Sequence, residues 1–182
     1  MKSKLSITKK KKNEILIWIA EREMQGERVI ALASKHWTEN PSYTSADEKD
    51  LEYIGAISFS DPIKESAIPA ILQAEELGVR IKILTGDSKN VAIAVAKKTG
   101  IIKNEEEAMT GEEFEKLSEA DQIIAVENVH VFARVSPEQK YRVIELLERK
   151  YEVGFLGDGI NDAPALKLAS VALAVDTASD IA

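Results

Sequence analysis

The spacing of apolar positions changes rhythm along this chain, and each rhythm predicts an element. Ile15, Leu16, Ile19 and Ala20 recur at helical spacing with charges after them, which predicts a helix over 13–25. "ERVIALASKHW" then reads as a strand. From Thr38 to Asp50, "TENPSYTSADEKD" is polar and carries the proline and serines of a linker. A boundary is expected there, with 1–40 before it, 41–50 as linker and 51–182 after it. "LEYIGAISFSD" reads as a strand ending at Asp61, and "IKESAIPAILQAEELG" as a helix closed by Gly78. "VRIKILTGD" is a strand with a glycine turn, and "SKNVAIAVAKKTG" a helix closed by Gly100. An acidic insertion, "KNEEEAMTGEEFEKLSEADQIIAVEN", is expected to hold two short helices. "VHVFARV", "YEVGFLGDG" and "VALAVD" read as strands, separated by the helices "SPEQKYRVIELLERK" and "NDAPALKLAS".

Strands that alternate with helices imply parallel pairing through right-handed crossovers, with helices on both faces. The expected fold class is α/β, a doubly wound parallel sheet. Ligands of such folds sit beyond the carboxyl ends of the strands. Thr85, Gly86 and Asp87 fall at one such end, and Gly157, Asp158 and Gly159 at another. No internal repeat and no long low-complexity segment interrupts the pattern.

Composition narrows the function classes. The 182 residues are 45% hydrophobic and 30% charged, with a net charge of −7. The acidic balance argues against a general nucleic-acid binder. There is no cysteine, so disulfides and thiolate metal sites are excluded, and a reducing compartment fits best. No run of about 18 apolar residues occurs, so no transmembrane helix is expected. The basic cluster Lys9 to Lys12 is expected to be a solvated tail ahead of the first helix, in preference to a membrane-surface contact.

Three stretches on the rim carry candidate chemistry. In "LTGD", the Thr85 hydroxyl followed by glycine lets backbone N–H groups approach a phosphate closely. An ordinary turn with Asp87 or Ser88 as N-cap explains the same letters. In "SPEQK", Ser136 is placed as an N-cap, Pro137 in the first turn and Lys140 soon after. The helix dipole disfavours a cation there, so Lys140 is a candidate for neutralising a phosphate or a carboxylate; a solvated lysine is the plain alternative. In "GDGIND", two carboxylates four residues apart among turn-forming glycines suit a hard cation such as Mg²⁺. Asp158 is the better ligand, Asp162 a ligand or an outer-shell group, and Asn161 can hydrogen-bond a phosphate oxygen. A turn with an N-cap accounts for one of these aspartates, not for both with their glycines. His36 and His130 lack metal-ligand spacing and read as structural. Neither the G-x-x-x-x-G-K-[ST] phosphate loop nor the G-x-S-x-G turn is present.

"DPIK", "ILTGD", "FARVSPEQK" and "GDGINDAPAL" stand in an order and spacing that resemble P-type cation-transporting ATPases, members of the haloacid-dehalogenase-like superfamily. The resemblance covers about residues 26–182, and "GERVIALASK" resembles the end of the nucleotide-binding domain of such pumps. The lysine of "DPIK" and the ending "GFLGDGINDAPAL…AVDTASDIA" resemble the bacterial magnesium-transporting subgroup. The resemblance implies a Rossmann-type phosphorylation domain that uses ATP and Mg²⁺ through an aspartyl phosphate. It implies that Thr85 binds the phosphoryl group and that Asp87, with Gly86 beside it, orders nucleotide or metal. It implies that Lys140 stabilises the phosphorylated aspartate. Asp158 would ligate Mg²⁺, with Asn161 and Asp162 completing the shell. Arg28, Asp61, Lys64 and Arg134 would lie near the hinge and the nucleotide.

Ile63 stands where the family often has a second proline, and Ser170 where it usually has aspartate. The larger departure is the nucleophile: "DKTGT" does not occur among these residues. "KKTGI" at Lys97 lacks the aspartate, "DTASD" at Asp176 lacks the Lys-Thr-Gly, and the "TGE" at Thr110 sits in the acidic insertion and reads as chance. Mg²⁺ and Lys140 can stabilise a transferring phosphoryl group, but a nucleophile must receive it. The expected fold therefore lacks the nucleophile-bearing strand. The expected function is that of a cytoplasmic catalytic fragment of a cation pump, inactive by itself, whose partners are ATP or phosphate and the pump's membrane domain and nucleophile segment. A second reading is a non-catalytic Mg²⁺- and phosphate- or nucleotide-binding module that complements a partner chain. A soluble phosphatase of the same superfamily ranks last, because no strand ends in the Asp-x-Asp it would need.

Overall fold

The computed structural model describes residues 8–36, 44, 47–157 and 162–174. The chain divides into two compact units, Met1–Pro62 and Ile63–Ala182.

In the first unit, α1 spans Lys9–Met24, capped by Thr8, whose hydroxyl accepts from the Lys11 amide at 3.3 Å. Lys9 to Lys12 are thus the opening of the helix and not a tail ahead of it. Lysine is a good helix former, and the Thr8 cap fixes the start despite the unfavourable charge at a helix N-terminus. β1 (Glu27–Ser34) and β2 (Glu52–Ser60) pair antiparallel, with Arg28 opposite Phe59, Ile30 opposite Ile57, and a bulge between Leu32 and Ala33. The expected boundary at 41–50 puts β2 with the elements that follow it. Its partner is instead β1, on the other side of the polar segment.

The second unit carries the parallel pairing. After α2 (Ala67–Glu76) come β3 (Ile83–Thr85) and α3 (Lys89–Thr99). Gly78 and Gly100 close the two helices with φ of 80° and 84°, a conformation that only glycine adopts cheaply. The acidic insertion forms a 3₁₀ turn, β4 (Ala108–Thr110), α4 (Gly111–Glu115) and α5 (Glu119–Asn128). The two helices were expected; the strand β4 was not. Next are β5 (Val131–Ala133), α6 (Pro137–Glu148), β6 (Gly154–Gly157), α7 (Ala163–Leu168) and β7 (Val171–Ala174).

Two parallel sheets result, β3-β5-β4 and β6-β7. The central strand β5 is fully buried, and its alternating side chains feed two cores. Phe132 packs with Phe114, Val126, Val143 and Leu146 on one face. Val131 and Ala133 pack with Ala92, Ala96 and Ile102 on the other. Helices on both faces of a parallel sheet give the doubly wound α/β class.

Residues that flank β3 and β6 share one core. Leu84, Tyr151 and Val153 pack against the same core cluster. The Arg80 guanidinium lies 4.4 Å from the centroid of the Tyr151 ring. Among the described residues β3 pairs only with β5, and β6 only with β7. The other edge of each strand therefore carries backbone N–H and C=O groups outside any ladder among the described residues.

Candidate functional site

The rim is built where β3 and β5 end. The loop after β3 is stitched to the loop after β5 by two backbone bonds, Arg134 N–H to the Asp87 carbonyl at 3.0 Å and Val135 N–H to the Thr85 carbonyl at 3.1 Å. The Asp87 amide also donates to the Thr85 hydroxyl at 3.1 Å. Thr85, Asp87 and Arg134 are therefore one local assembly. Ser88, not Asp87, caps α3, its hydroxyl accepting from the Val91 amide at 3.4 Å. That leaves the Asp87 carboxylate out of the capping role. Arg134 has φ of 51°, a left-handed backbone uncommon outside glycine. Such conformations persist where surrounding bonds enforce them, and they collect at functional sites.

The start of α6 brings Lys140 to the same rim. Ser136 caps the helix and Pro137 occupies its first turn, as the letters "SPEQK" predict. The Ser136 hydroxyl accepts from the Gln139 amide at 3.2 Å, while the Gln139 side-chain oxygen accepts from the Ser136 amide at 3.0 Å, a reciprocal capping box. Exposed Glu138 is held below the usual carboxylate range, first by a hydrogen bond from Ser136 and then by its own amide.

Lys140 Nζ donates to Asp162 Oδ1 at 2.6 Å. The two side chains retain 15% and 9% of their exposure, so the pair is largely shielded from water. The sequence makes Lys140 a candidate for a phosphate or a carboxylate and Asp162 one for a metal; the carboxylate that Lys140 meets is that of Asp162. Asp162 is brought in by the glycine that ends β6. A Cβ on Gly157 would lie 2.9 Å from Asp162 Cβ and 3.3 Å from Asp162 Oδ2, so the aspartate sits directly on the Gly157 backbone. That close approach is one physical reason for glycine at the first position of "GDG". Asp158 and Asn161, the other members of this motif, lie outside the described residues.

The remaining sequence candidates fall away from this cluster or in the other unit. Lys64 is exposed at the beginning of the second unit, before α2. Arg28, on β1, and Asp61, just after β2, are exposed in the first unit. Among the described residues, no group of three or more His, Asp or Glu side chains is arranged to hold a metal. The Thr110 "TGE" is a local structural feature: Thr110 caps α4 and exchanges hydrogen bonds with Glu113. "KKTGI" closes α3 through Gly100.

One feature escaped the sequence reading. The Gln139 side-chain amide donates to the Gly111 carbonyl at 3.2 Å and to Glu115 Oε2 at 3.0 Å, which fastens the acidic insertion to the first turn of α6. The S-x-x-Q spacing at Ser136 signals the cap but not this second bond, because Gly111 is remote in sequence.

The chain is similar to cation-transporting ATPases over nearly its whole length. It is 38% identical over 98% of its residues to "Magnesium-transporting ATPase, P-type 1" of Salmonella typhimurium, covering 20% of that protein. It is 42% identical over 87% of its residues to the Escherichia coli K12 protein of the same name, covering 18% of it. It is 38% identical over 85% of its residues to "Calcium-transporting ATPase 1" of Lactococcus lactis, again covering 18%. The chain thus spans about a fifth of the length of the curated relatives it matches. The model of the haloacid dehalogenase-like hydrolases matches residues 6–170, the stretch that holds the β3-β5-β4 sheet, β6 and the residues Thr85, Lys140 and Asp162. With sheet, rim and family model in agreement, the chain belongs to the haloacid dehalogenase-like hydrolase family.

Proposed function

We propose that this chain is the phosphoryl-handling part of a P-type cation-transporting ATPase, on the cytoplasmic side of a membrane protein. The transported ion would be Mg²⁺, given the names of the Salmonella and Escherichia coli relatives. Among the described residues no helix is long and apolar enough to cross a membrane, so the membrane-spanning role falls to other parts of the pump.

The observation that carries the reading is the Lys140–Asp162 pair, whose lysine lies in the opening turn of the helix after the loop that is stitched to the Thr85–Gly86–Asp87 turn. An ammonium has three donors, and Asp162 takes one. Among the described residues the other two are left for a phosphoryl group or the carboxylate that carries it. The Thr85 hydroxyl, which accepts from the Asp87 amide, would hydrogen-bond a phosphoryl oxygen. Asp158 and Asp162 would hold Mg²⁺. An all-oxygen donor set fits this ion, and Asp162 keeps one oxygen, Oδ2, outside its bond to Lys140. The ion would supply charge neutralisation on the phosphate oxygens. Arg28, Asp61, Lys64, Arg134 and Asn161 would contact ATP or shape its approach.

The acceptor carboxylate is the group these 182 residues do not offer in a "DKTGT" setting. Among the described residues β3 and β6 each have one unpaired edge, and a parallel strand that ends in that motif and pairs there would deliver its aspartate to the rim. The chain by itself would then bind Mg²⁺ and phosphate but not turn over ATP. The test is to add γ-labelled ATP and Mg²⁺ with and without a segment of a related pump that carries "DKTGT". Hydroxylamine-sensitive label on the segment, dependent on the chain and lost with Lys140→Ala, supports the reading. Sustained Mg²⁺-dependent hydrolysis by the chain alone, lost with Asp158→Ala, overturns it. Phosphate and Mg²⁺ binding without any labelling favours the non-catalytic binding module.

A further inference from the structure

We infer that Gln139 is a positioning residue: its side-chain amide braces the acidic insertion against the helix turn that carries Lys140, and so fixes the lysine at the rim. The importance of Lys140 rests on the function proposed above; the brace itself does not.

Gln139 uses both ends of its amide. The oxygen accepts from the Ser136 amide at 3.0 Å and belongs to the helix cap. The nitrogen donates out of the helix, to the Gly111 carbonyl at 3.2 Å and to Glu115 Oε2 at 3.0 Å. α4 is only five residues long, and the Thr110–Glu113 box fixes its own start. Phe114, 1% exposed, roots α4 in the core by an edge-on contact with Phe132, ring centroids 5.5 Å apart. The insertion is therefore a rigid abutment, and Gln139 is the polar link from it to α6.

The fit leaves no room at Gly111. A Cβ there would overlap the Gln139 side-chain oxygen and would stand 2.8 Å from Gln139 Cδ and 3.0 Å from the Arg134 carbonyl. One glycine thus meets both the brace and the left-handed Arg134 turn. Lys140 is the next residue along, and its amide bonds to the Ser136 carbonyl at 2.9 Å. Rotation of this first turn would swing Nζ away from Asp162. A substitution in the insertion, a segment with no expected chemistry, should therefore be felt at Lys140.

The cap and the brace can be separated. Gln139→Glu keeps an oxygen for the Ser136 amide but cannot donate, and it faces Glu115 with a like charge. Ser136→Ala removes the hydroxyl half of the cap and leaves the brace. Glu115→Gln added to Gln139→Glu restores a donor across the gap. Gly111→Ala attacks the brace from the other side.

The experiment uses the full chain labelled with ¹⁵N and follows the Lys140 ammonium signal, visible when bonding to Asp162 slows proton exchange. Gln139→Glu and Gly111→Ala should each speed that exchange by about fivefold or more, because local opening sets the rate. Ser136→Ala should leave it near the parent value, and the double variant should recover most of it. Unchanged Lys140 exchange in Gln139→Glu overturns the brace. So does equal loss in Ser136→Ala, or the absence of recovery in the double variant. This readout needs no ATP, so failure of the brace and failure of the proposed function are told apart by the phosphoryl-transfer test.

Discussion

The Lys140–Asp162 pair makes an asymmetric prediction about stability. The side chains retain 15% and 9% exposure and meet at 2.6 Å. Removing one partner of a buried ion pair costs about 3–5 kcal/mol, because the other charge is stranded. The two partners differ in how they can escape. Asp162 has a short stem packed on the Gly157 backbone, so its carboxylate has little freedom to move out toward water. Lys140 has four methylenes and can carry its ammonium outward over the rim. Lys140→Met should therefore cost about 3 kcal/mol, at the low end of that range. Asp162→Ala should cost about 1 kcal/mol, since Lys140 relaxes and no capping bond is lost at α7. Lys140→Met with Asp162→Leu removes both charges and should be less damaging than Lys140→Met alone. Urea unfolding followed by circular dichroism measures all three, with an unchanged slope required for comparison. Additive singles, or a larger cost for Asp162→Ala than for Lys140→Met, would refute the claim that Asp162 is the confined partner.

Two more expectations concern the scaffold. Burial lowers the Lys82 amine to about 8, with the neighbouring Arg80 charge adding to the effect. The folded state then binds fewer protons than the unfolded state between about 8 and the ordinary lysine value, so stability should rise as pH increases through that window. The full shift corresponds to about 3 kcal/mol, and because the amine is only half-buried, solvent screening cuts this to about 1 kcal/mol. Urea midpoints at pH 7 and pH 10 would show it, and Lys82→Met should abolish the rise; a midpoint that falls in both proteins would contradict the account. Phe132→Ala, at the fully buried centre of β5, should cost about 3–5 kcal/mol in the same assay. A loss under about 1 kcal/mol would show that Phe132 is not central to the core.

The elements most legible in the sequence were those whose ends are written locally. Ser136 with Pro137, Ser88, Gly78 and Gly100 each mark a helix end by their own chemistry, and each does so in the structure. β4 was hidden because Ala108–Met109–Thr110 is too short to show a period and is a strand only by pairing with β5. The start of α1 was misread because four consecutive lysines look like a tail, while the Thr8 cap that starts the helix is a single residue. For the site, the turn chemistry of "LTGD" and "SPEQK" was readable, since hydroxyls and glycines near strand ends have few roles. The mutual bond between Lys140 and Asp162 was not, because it depends on how α6 and β6 meet. The reach of Gln139 to Gly111 was hidden for the same reason.

The shortness of β3 and β6 has a consequence for assembly. β3 is three residues long and β6 four, so a strand that pairs with either gains only a handful of ladder bonds. Short edges protect a protein against zipping onto its own copies. By the same measure, a free peptide would dock there weakly. A covalent link changes this, because a tether raises the local concentration of the incoming strand to the millimolar range without any new contact. Linker length and attachment point, more than the sequence of the strand itself, would then set how much of this chain carries a completed sheet.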